Sequence, residues 1–408
     1  KFEIILDDPD WFNLMDGTYV SGNYGEILIG KLIFNDTLVL DSVLVGIKGY
    51  TSDVNNLSEK KSFKIEIDKF LDQDLLGYDN LNLNSAFEDP SYMREVLYYD
   101  ISKNFAPALK GCFVDLYING QYWGPYSNIQ QLEGKYIKEW FLDNKGTRWR
   151  AASPILPYAI GTGVSSLNYN GSDSSDYHTR YTLKSSYKEN PWDDLINVCY
   201  QLNNSPSSDL YEELKYSLDI DRTLWFLAQE IVFADNDSYI HKGGMDYYIY
   251  WDQATNRITP LEVDGNTVLL NSNINWSPFY HEADERFPLL NKLLKNTEIR
   301  QRYLAHLRTI LEHYFVEQNI NGRIDEYSSL LNQRVQNDPK KIMSYNEYLN
   351  GVIELKNAVS NRSLFLKNHS EINRNGVEIS NVNSNTSIGT TGSPLPNEEV
   401  IITAKING

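Results

Sequence analysis

Asp235-Asn236-Asp237-Ser238-Tyr239 opens a stretch that closes on Glu262-Val263-Asp264-Gly265-Asn266, with Tyr247-Tyr248-Ile249-Tyr250-Trp251 and Arg257-Ile258-Thr259-Pro260-Leu261 between them. The two aromatic and β-branched runs, divided by polar residues, read as a hairpin. A hairpin returns to its starting end, so both acidic clusters are expected in one small volume. Carboxylates and amide oxygens are the ligands of hard cations such as Mg²⁺, which commonly take one or two carboxylates and complete their shell with substrate phosphates. Phosphoryl or nucleotidyl chemistry is therefore the first expectation. A second reading stays open on local grounds: Asp235-Asn236-Asp237 also suits the end of a helix, and Asp264-Gly265 a tight reversal. Asp235-Asn236-Asp237 further has the Asp-x-Asp form with which metal-dependent glycosyltransferases hold a nucleotide sugar, although no domain of alternating strands and helices precedes it.

Upstream, Leu224, Leu227, Ala228, Ile231 and Val232 form the apolar stripe of a helix opened by Asp219 and Asp221 and ending at Ala234. Residues 1 to about 70 are β-rich. In Ser62-Phe63-Lys64-Ile65-Glu66-Ile67 the apolar residues take one face and the polar ones the other. Asp89-Pro90 reads as N-cap and first position of a further helix. Asn119-Gly120, between Phe113–Ile118 and Gln121–Tyr126, predicts a two-residue hairpin turn. The Gly/Ser/Asn/Asp-rich stretch 161–176 reads as a surface loop, and residues 287–368 as helical. Residues 373–396 have the composition of a linker. The apolar run Val400–Ile406 then suggests the start of a further β domain at 397–408.

The 408 residues carry a net charge of −18, which argues against a nucleic-acid partner, since phosphates need a basic counter-surface. That charge suits basic or neutral partners. The 29 Tyr and 8 Trp suit surfaces that meet proteins or glycans. Cys112 and Cys199 have no metal-type spacing and imply no disulfide framework. No run of about 18 apolar residues is present, so no membrane span is expected. A chain beginning at Lys1 is expected to be a fragment or a processed product. None of the six His forms a zinc-type pair, and neither a Gly-x-Ser-x-Gly elbow nor an ordinary phosphate-binding P-loop occurs. Lys60, Lys61 and Lys64 could offer an ammonium to phosphates; equally, lysines at a strand edge discourage edge pairing.

An ordered series of segments resembles the spore-coat protein H (CotH) kinase family. Val45-Gly46-Ile47-Lys48-Gly49-Tyr50-Thr51-Ser52 looks like its Arg/Lys-Gly-x-Ser-Ser segment. Lys60–Ile65, Leu81–Asn84, Asp89–Glu95 and Leu116–Gly124 follow in family order, then Asn236–Tyr239, Tyr247–Tyr250 and Pro260–Asn266. The resemblance covers roughly residues 1 to 370. It implies an α+β, atypical protein-kinase-like fold, with a β-rich N-lobe over about 1–130 and a largely helical C-lobe over about 131–372. It further implies an extracellular or cell-surface enzyme that uses ATP and Mg²⁺ (or Mn²⁺) to phosphorylate Ser or Thr of a protein; the acidic charge of the chain suits a basic one. Carried over, Asp237 is the catalytic Asp, and Asp264 the metal ligand with Glu262 or Asn266 beside it. Lys60, Lys61 or Lys64, with Arg94 and Glu95, would serve the nucleotide. The family's last motif usually carries a Trp, replaced here by Val263 or, in another register, Leu261. A usual acid after the Asn-Gly hairpin is Gln130 or Gln131. These departures motivate the alternative of an inactive pseudokinase that binds partners in an extracellular complex.

Overall fold

Alternation of apolar residues along the N-terminal strands gives each strand one water-averse face, and here those faces turn inward on a common axis. The computed structural model describes all residues except 17–24, 50–55, 57, 152–163, 243, 375–377, 387–398 and 408. Strands β1 (Phe2–Ile5), β2 (Leu28–Phe34), β3 (Leu38–Lys48), β4 (Ser62–Glu66), β5 (Asn80–Asn84), β6 (Gly111–Ile118) and β7 (Gln121–Gln130) close into a barrel in the order β1-β2-β3-β4-β5-β7-β6. Phe63, Ile65, Val43, Val45, Leu83 and Leu116 fill its interior with no exposed surface. Burial of each such side chain is worth about 1.5–3 kcal/mol relative to exposure.

Closure depends on β1, which pairs antiparallel with β2 and parallel with β6. The Asn-Gly turn has a part in it. Asn119 and Gly120 both adopt positive φ (50° and 78°), as a two-residue turn between twisted strands requires. The Asn119 side chain then accepts from Leu6 N at 2.8 Å and donates to Leu6 O at 3.0 Å, extending the β1–β6 seam past its last ladder pair.

A second sheet has the order β11-β10-β8-β9, from β8 (Thr147–Ala151), β9 (Thr182–Ser185), β10 (Tyr247–Asp252) and β11 (Arg257–Glu262). The helix Ile220–Phe233 matches its expected bounds: Asp219 accepts from Arg222 N at 3.1 Å as N-cap, and Ala234 ends it in the left-handed conformation. Two longer helices, Glu317–Gln336 and Tyr345–Lys367, pack together. Arg362 of the latter is fully buried and donates to the carbonyls of Ile231 at 2.5 Å and Ile274 at 2.8 Å. It sits at the negative end of the helix Ile220–Phe233.

The expectation of a protein-kinase-like fold with two lobes is corrected. The N-terminal strands form a closed barrel instead of an open lobe sheet, because the parallel β1–β6 pairing joins its two ends. Beyond 131 helices predominate, as expected, but they share the region with a four-stranded sheet. The predicted helix start moves as well: the helix runs Arg94–Ser102, not from Pro90. Asp89 still supplies its first acceptor, receiving Arg94 N at 2.9 Å. In the stretch read as a surface loop, residues 161–163 lie outside the described residues, but Ser165, Ser166 and Leu167 are fully buried.

Lys1–Lys367 form one compact unit and Asn368–Gly408 another. In the second, β12 (Glu378–Thr386) pairs antiparallel with β13 (Val400–Asn407). Part of the stretch read as linker is therefore strand, and the Val400 run finds its partner upstream of it.

Candidate active site

The β10–β11 hairpin places Tyr247 opposite Glu262, so the residues that follow β11 emerge where β10 begins. The helix Ile220–Phe233 delivers Asp235 to Asp237 nearby. Three buried acids meet behind the hairpin. Ser238 Oγ lies 2.7 Å from both Glu230 Oε1 and Glu262 Oε2. A hydroxyl has one proton to donate, so one of these contacts is met by a proton on a carboxyl. Burial pushes the Glu262 carboxyl up to about 7, and Glu230 and Asp235 well above the usual carboxylate range. The other Glu262 oxygen accepts from the backbone N–H groups of Val263 (2.8 Å) and Asp264 (2.9 Å), which fixes the turn carrying Asp264.

In front of the hairpin lies a cavity of about 560 Å³ between the barrel and the second sheet. From the barrel it receives Lys48 of β3, Ser62 and Lys64 of β4, Asn84 of β5 and Gln130 of β7. Glu95 comes from the helix Arg94–Ser102. Arg150, Lys184, Tyr248, Asp246, Val263, Asp264 and Asn266 come from the second sheet and its loops. The period of two explains the β4 contribution: Phe63 and Ile65 face the barrel core, so Ser62 and Lys64 face out of it.

Lys48 and Glu95 are linked through one amide. Lys48 Nζ donates to Asn84 Oδ1 at 2.9 Å, and Asn84 Nδ2 donates to Glu95 Oε2 at 2.7 Å. Burial pushes the Lys48 ammonium down, against the pull of the negative charges of Glu95 and Asp264. Burial raises the Asp264 carboxyl well above its ordinary range, and the charges of Asp237 and Glu95 push the same way. Asn266 Oδ1 is buried and, among the described residues, accepts no hydrogen bond. An oxygen without a donor, next in the cavity wall to a carboxylate short of positive charge, fits a hard cation. Among the described residues, no three His, Cys, Asp or Glu side chains are grouped as a metal cage.

The expected site residues thus separate. Asp264, Asn266, Glu95 and Lys64 line the cavity. Glu262 does not: it is buried behind, as the residue that holds the Asp264 turn. Arg94 does not either. Its guanidinium donates to the carbonyls of Val268 (2.7 Å) and Leu269 (2.9 Å) and secures the chain beyond Asn266. Asp237 is paired with Lys242, which also meets Asp246 at 3.0 Å; Asp246 in turn takes Arg150 at 3.0 Å. Asp237 therefore joins the cavity wall through an ion-pair chain.

Lys60 and Lys61 precede the ladder and turn elsewhere. Lys60 is fully buried against Asp338 and the rings of Tyr92 and Tyr126. Lys61 donates to Asn56 O at 2.8 Å and pairs with Asp16 at 3.0 Å. Residues 50–52 of the first matched segment lie outside the described residues. Lys48, Arg150 and Lys184 are cavity residues that the sequence reading did not select. Lys48 had a signal, a cation ending an apolar strand before Gly49, whose φ is 87°. Of the two candidates for the missing aromatic, Val263 lines the cavity while Leu261 is buried in β11.

A barrel and a sheet enclosing a polar cavity with a half-buried lysine, a glutamate and an aspartate define the surroundings in which the family relationship is to be understood. The family model described as CotH kinase protein matches residues 45–366, and the chain belongs to that family. It is similar to the inner spore coat protein H of Bacillus subtilis (strain 168), at 22% identity over 324 residues that take in 77% of this chain and 84% of that protein. Among the described residues no helix is long and apolar enough to cross a membrane.

Proposed function

We propose that the chain transfers a phosphoryl group from ATP to a Ser or Thr hydroxyl of a protein. The observation that supports this best is the meeting of Lys48, Glu95, Asp264 and the orphan Asn266 oxygen in one cavity. Phosphoryl transfer asks little covalent work of a protein; it asks for positioning and for neutralisation of phosphate charge. Lys48, held in place by Asn84, would meet the phosphates. Asp264 and Asn266 would hold Mg²⁺ (or Mn²⁺), which when bound neutralises phosphate charge. Asp237 would accept the proton of the acceptor hydroxyl. The similarity to a spore coat protein supports a coat or extracellular setting with a protein substrate, and the charge of −18 suits a basic one.

A radiolabelled-ATP assay with Mg²⁺ or Mn²⁺ and a basic, Ser/Thr-rich polypeptide tests the reading. Label should enter the acceptor with the wild type and be lost in Asp264→Ala and Asp237→Ala. Equal labelling by all three would refute the assigned roles. Val263 at the cavity wall and Gln130 at the position of an expected acid favour a second reading, a pseudokinase acting as a binding module. Calorimetry separates the two, since the module predicts no ATP·Mg²⁺ heat.

A further inference from the structure

Lys48 is not the only cation at the cavity. Lys64 enters from the barrel, and Arg150 and Lys184 enter from β8 and β9 of the second sheet. Lys64 has a carboxylate partner in Glu66 at 2.6 Å, and Arg150 has Asp246 at 3.0 Å. Among the described residues Lys184 has no hydrogen-bond or ion-pair partner. Other lysines, Lys69 and Lys138 among them, are likewise unpaired among the described residues; what sets the exposed Lys184 apart is its place in a cavity wall with two other cations, Lys64 and Arg150. Like charges placed side by side are unfavourable. An anion that reached all three would remove that cost.

We propose that Lys184 and Arg150 of the second sheet, with Lys64 of the barrel, form an anion subsite in the cavity for the polyphosphate chain of the nucleotide. This deepens the phosphoryl-transfer reading and rests on it. The subsite shares no residue with the Lys48–Asn84–Glu95 link. Two independent features favour a polyphosphate over an acidic peptide. The cavity, at about 560 Å³, has the size of a small-ligand site. Its cations come from both walls, as a chain of several anionic groups running across it requires, while an ammonium serves each phosphate as a compact point charge. The cations Arg150, Arg148 and Lys64 also depress the Lys184 ammonium, after burial, which is the electrostatic trace of the same crowding. Arg148 itself is engaged with Leu132 O at 2.9 Å.

The test is calorimetric and independent of turnover. Inorganic tripolyphosphate, ATP, AMP and a poly-glutamate peptide are titrated without metal into the full chain, its Lys184→Gln variant and its Lys184→Arg variant. We expect Lys184→Gln to weaken tripolyphosphate and ATP by about tenfold and AMP by less than twofold, with Lys184→Arg within about threefold of the wild type. Undiminished tripolyphosphate and ATP binding by Lys184→Gln overturns the subsite and leaves the kinase reading standing. Tripolyphosphate binding that depends on Lys184, with no ATP binding by the wild type, keeps the anion subsite but sinks the nucleotide reading. Lys184-dependent binding of poly-glutamate alone overturns the polyphosphate assignment.

Discussion

Asp264 is held by its neighbours in a state that a cation would relieve. Its turn is pinned by Glu262, its carboxyl is raised by burial and by nearby acids, and Asn266 adds an unmet acceptor. Asp264→Asn keeps the shape and removes the charge. We expect phosphoryl transfer in the radiolabel assay to fall at least about a hundredfold, the scale of losing a pre-organised electrostatic group, with the far-UV circular dichroism unchanged. Lys48→Met should raise the apparent KM for ATP as well as lower turnover.

Glu262 gives a test in pH. Burial raises its pKa to about 7, above the ordinary glutamate value of 4.5, so the folded state holds the proton more tightly than the unfolded one. Stability from this group is therefore full at low pH and lost as pH rises from about 4.5 to 7. Urea midpoints at pH 5 and pH 7.5 should differ less for Glu262→Gln than for the wild type. An unchanged difference would remove Glu262 from the account.

At the scale of elements, much was legible where the signal is local. The Asn119-Gly120 turn, the Asp219 cap and the β10–β11 hairpin each state their geometry in two to six residues. The helix at Arg94 began four positions later than read, because Asp89 acts over five residues through Arg94 N instead of capping the next turn. Strands β8 and β9 went unread, and with them Arg150 and Lys184: each is only four or five residues long and leads into loops. Lys60 and Lys61 misled because a lysine beside a strand says nothing of where the chain turns before the ladder begins.

Gly265 is a point where an element depends on one missing atom. A Cβ there would lie 2.2 Å from Cδ1 of Tyr98, a buried ring of the helix Arg94–Ser102. Gly265→Ala should cost about 1–3 kcal/mol in chemical denaturation, the range of an overpacked core. It should also weaken metal binding, measured by calorimetry, more than a distant substitution of equal cost, because the strain falls beside Asp264.

For the whole molecule, the least legible feature was closure. Nothing in Phe2–Ile5 announces a parallel partner more than a hundred residues away, and without that pairing an open sheet is the natural reading. A second long-range tie joins the start of the barrel's β4 to the loop after the helix Glu317–Gln336. Lys60 and Asp338 form an ion pair with neither side chain exposed. Gly124, at φ 97°, leaves room for that carboxylate. Asp338→Ala leaves a buried ammonium uncompensated and should cost about 3–5 kcal/mol, read from thermal or urea unfolding. The double variant Lys60→Met/Asp338→Leu should recover most of it, and a double variant as unstable as the single one would contradict this account.

Arg94 and Glu95 are adjacent, yet they grip different parts of the molecule: one holds the carbonyls of Val268 and Leu269, the other reaches through Asn84 to Lys48. The first turn of that helix is thus a rocker with an arm on each bank of the cavity. A displacement of Lys48 is therefore expected to reach the segment that follows Asn266 through these hydrogen bonds. Amide protons near Asn84 and near Leu269 should slow their exchange together when ATP is added, at one shared concentration midpoint.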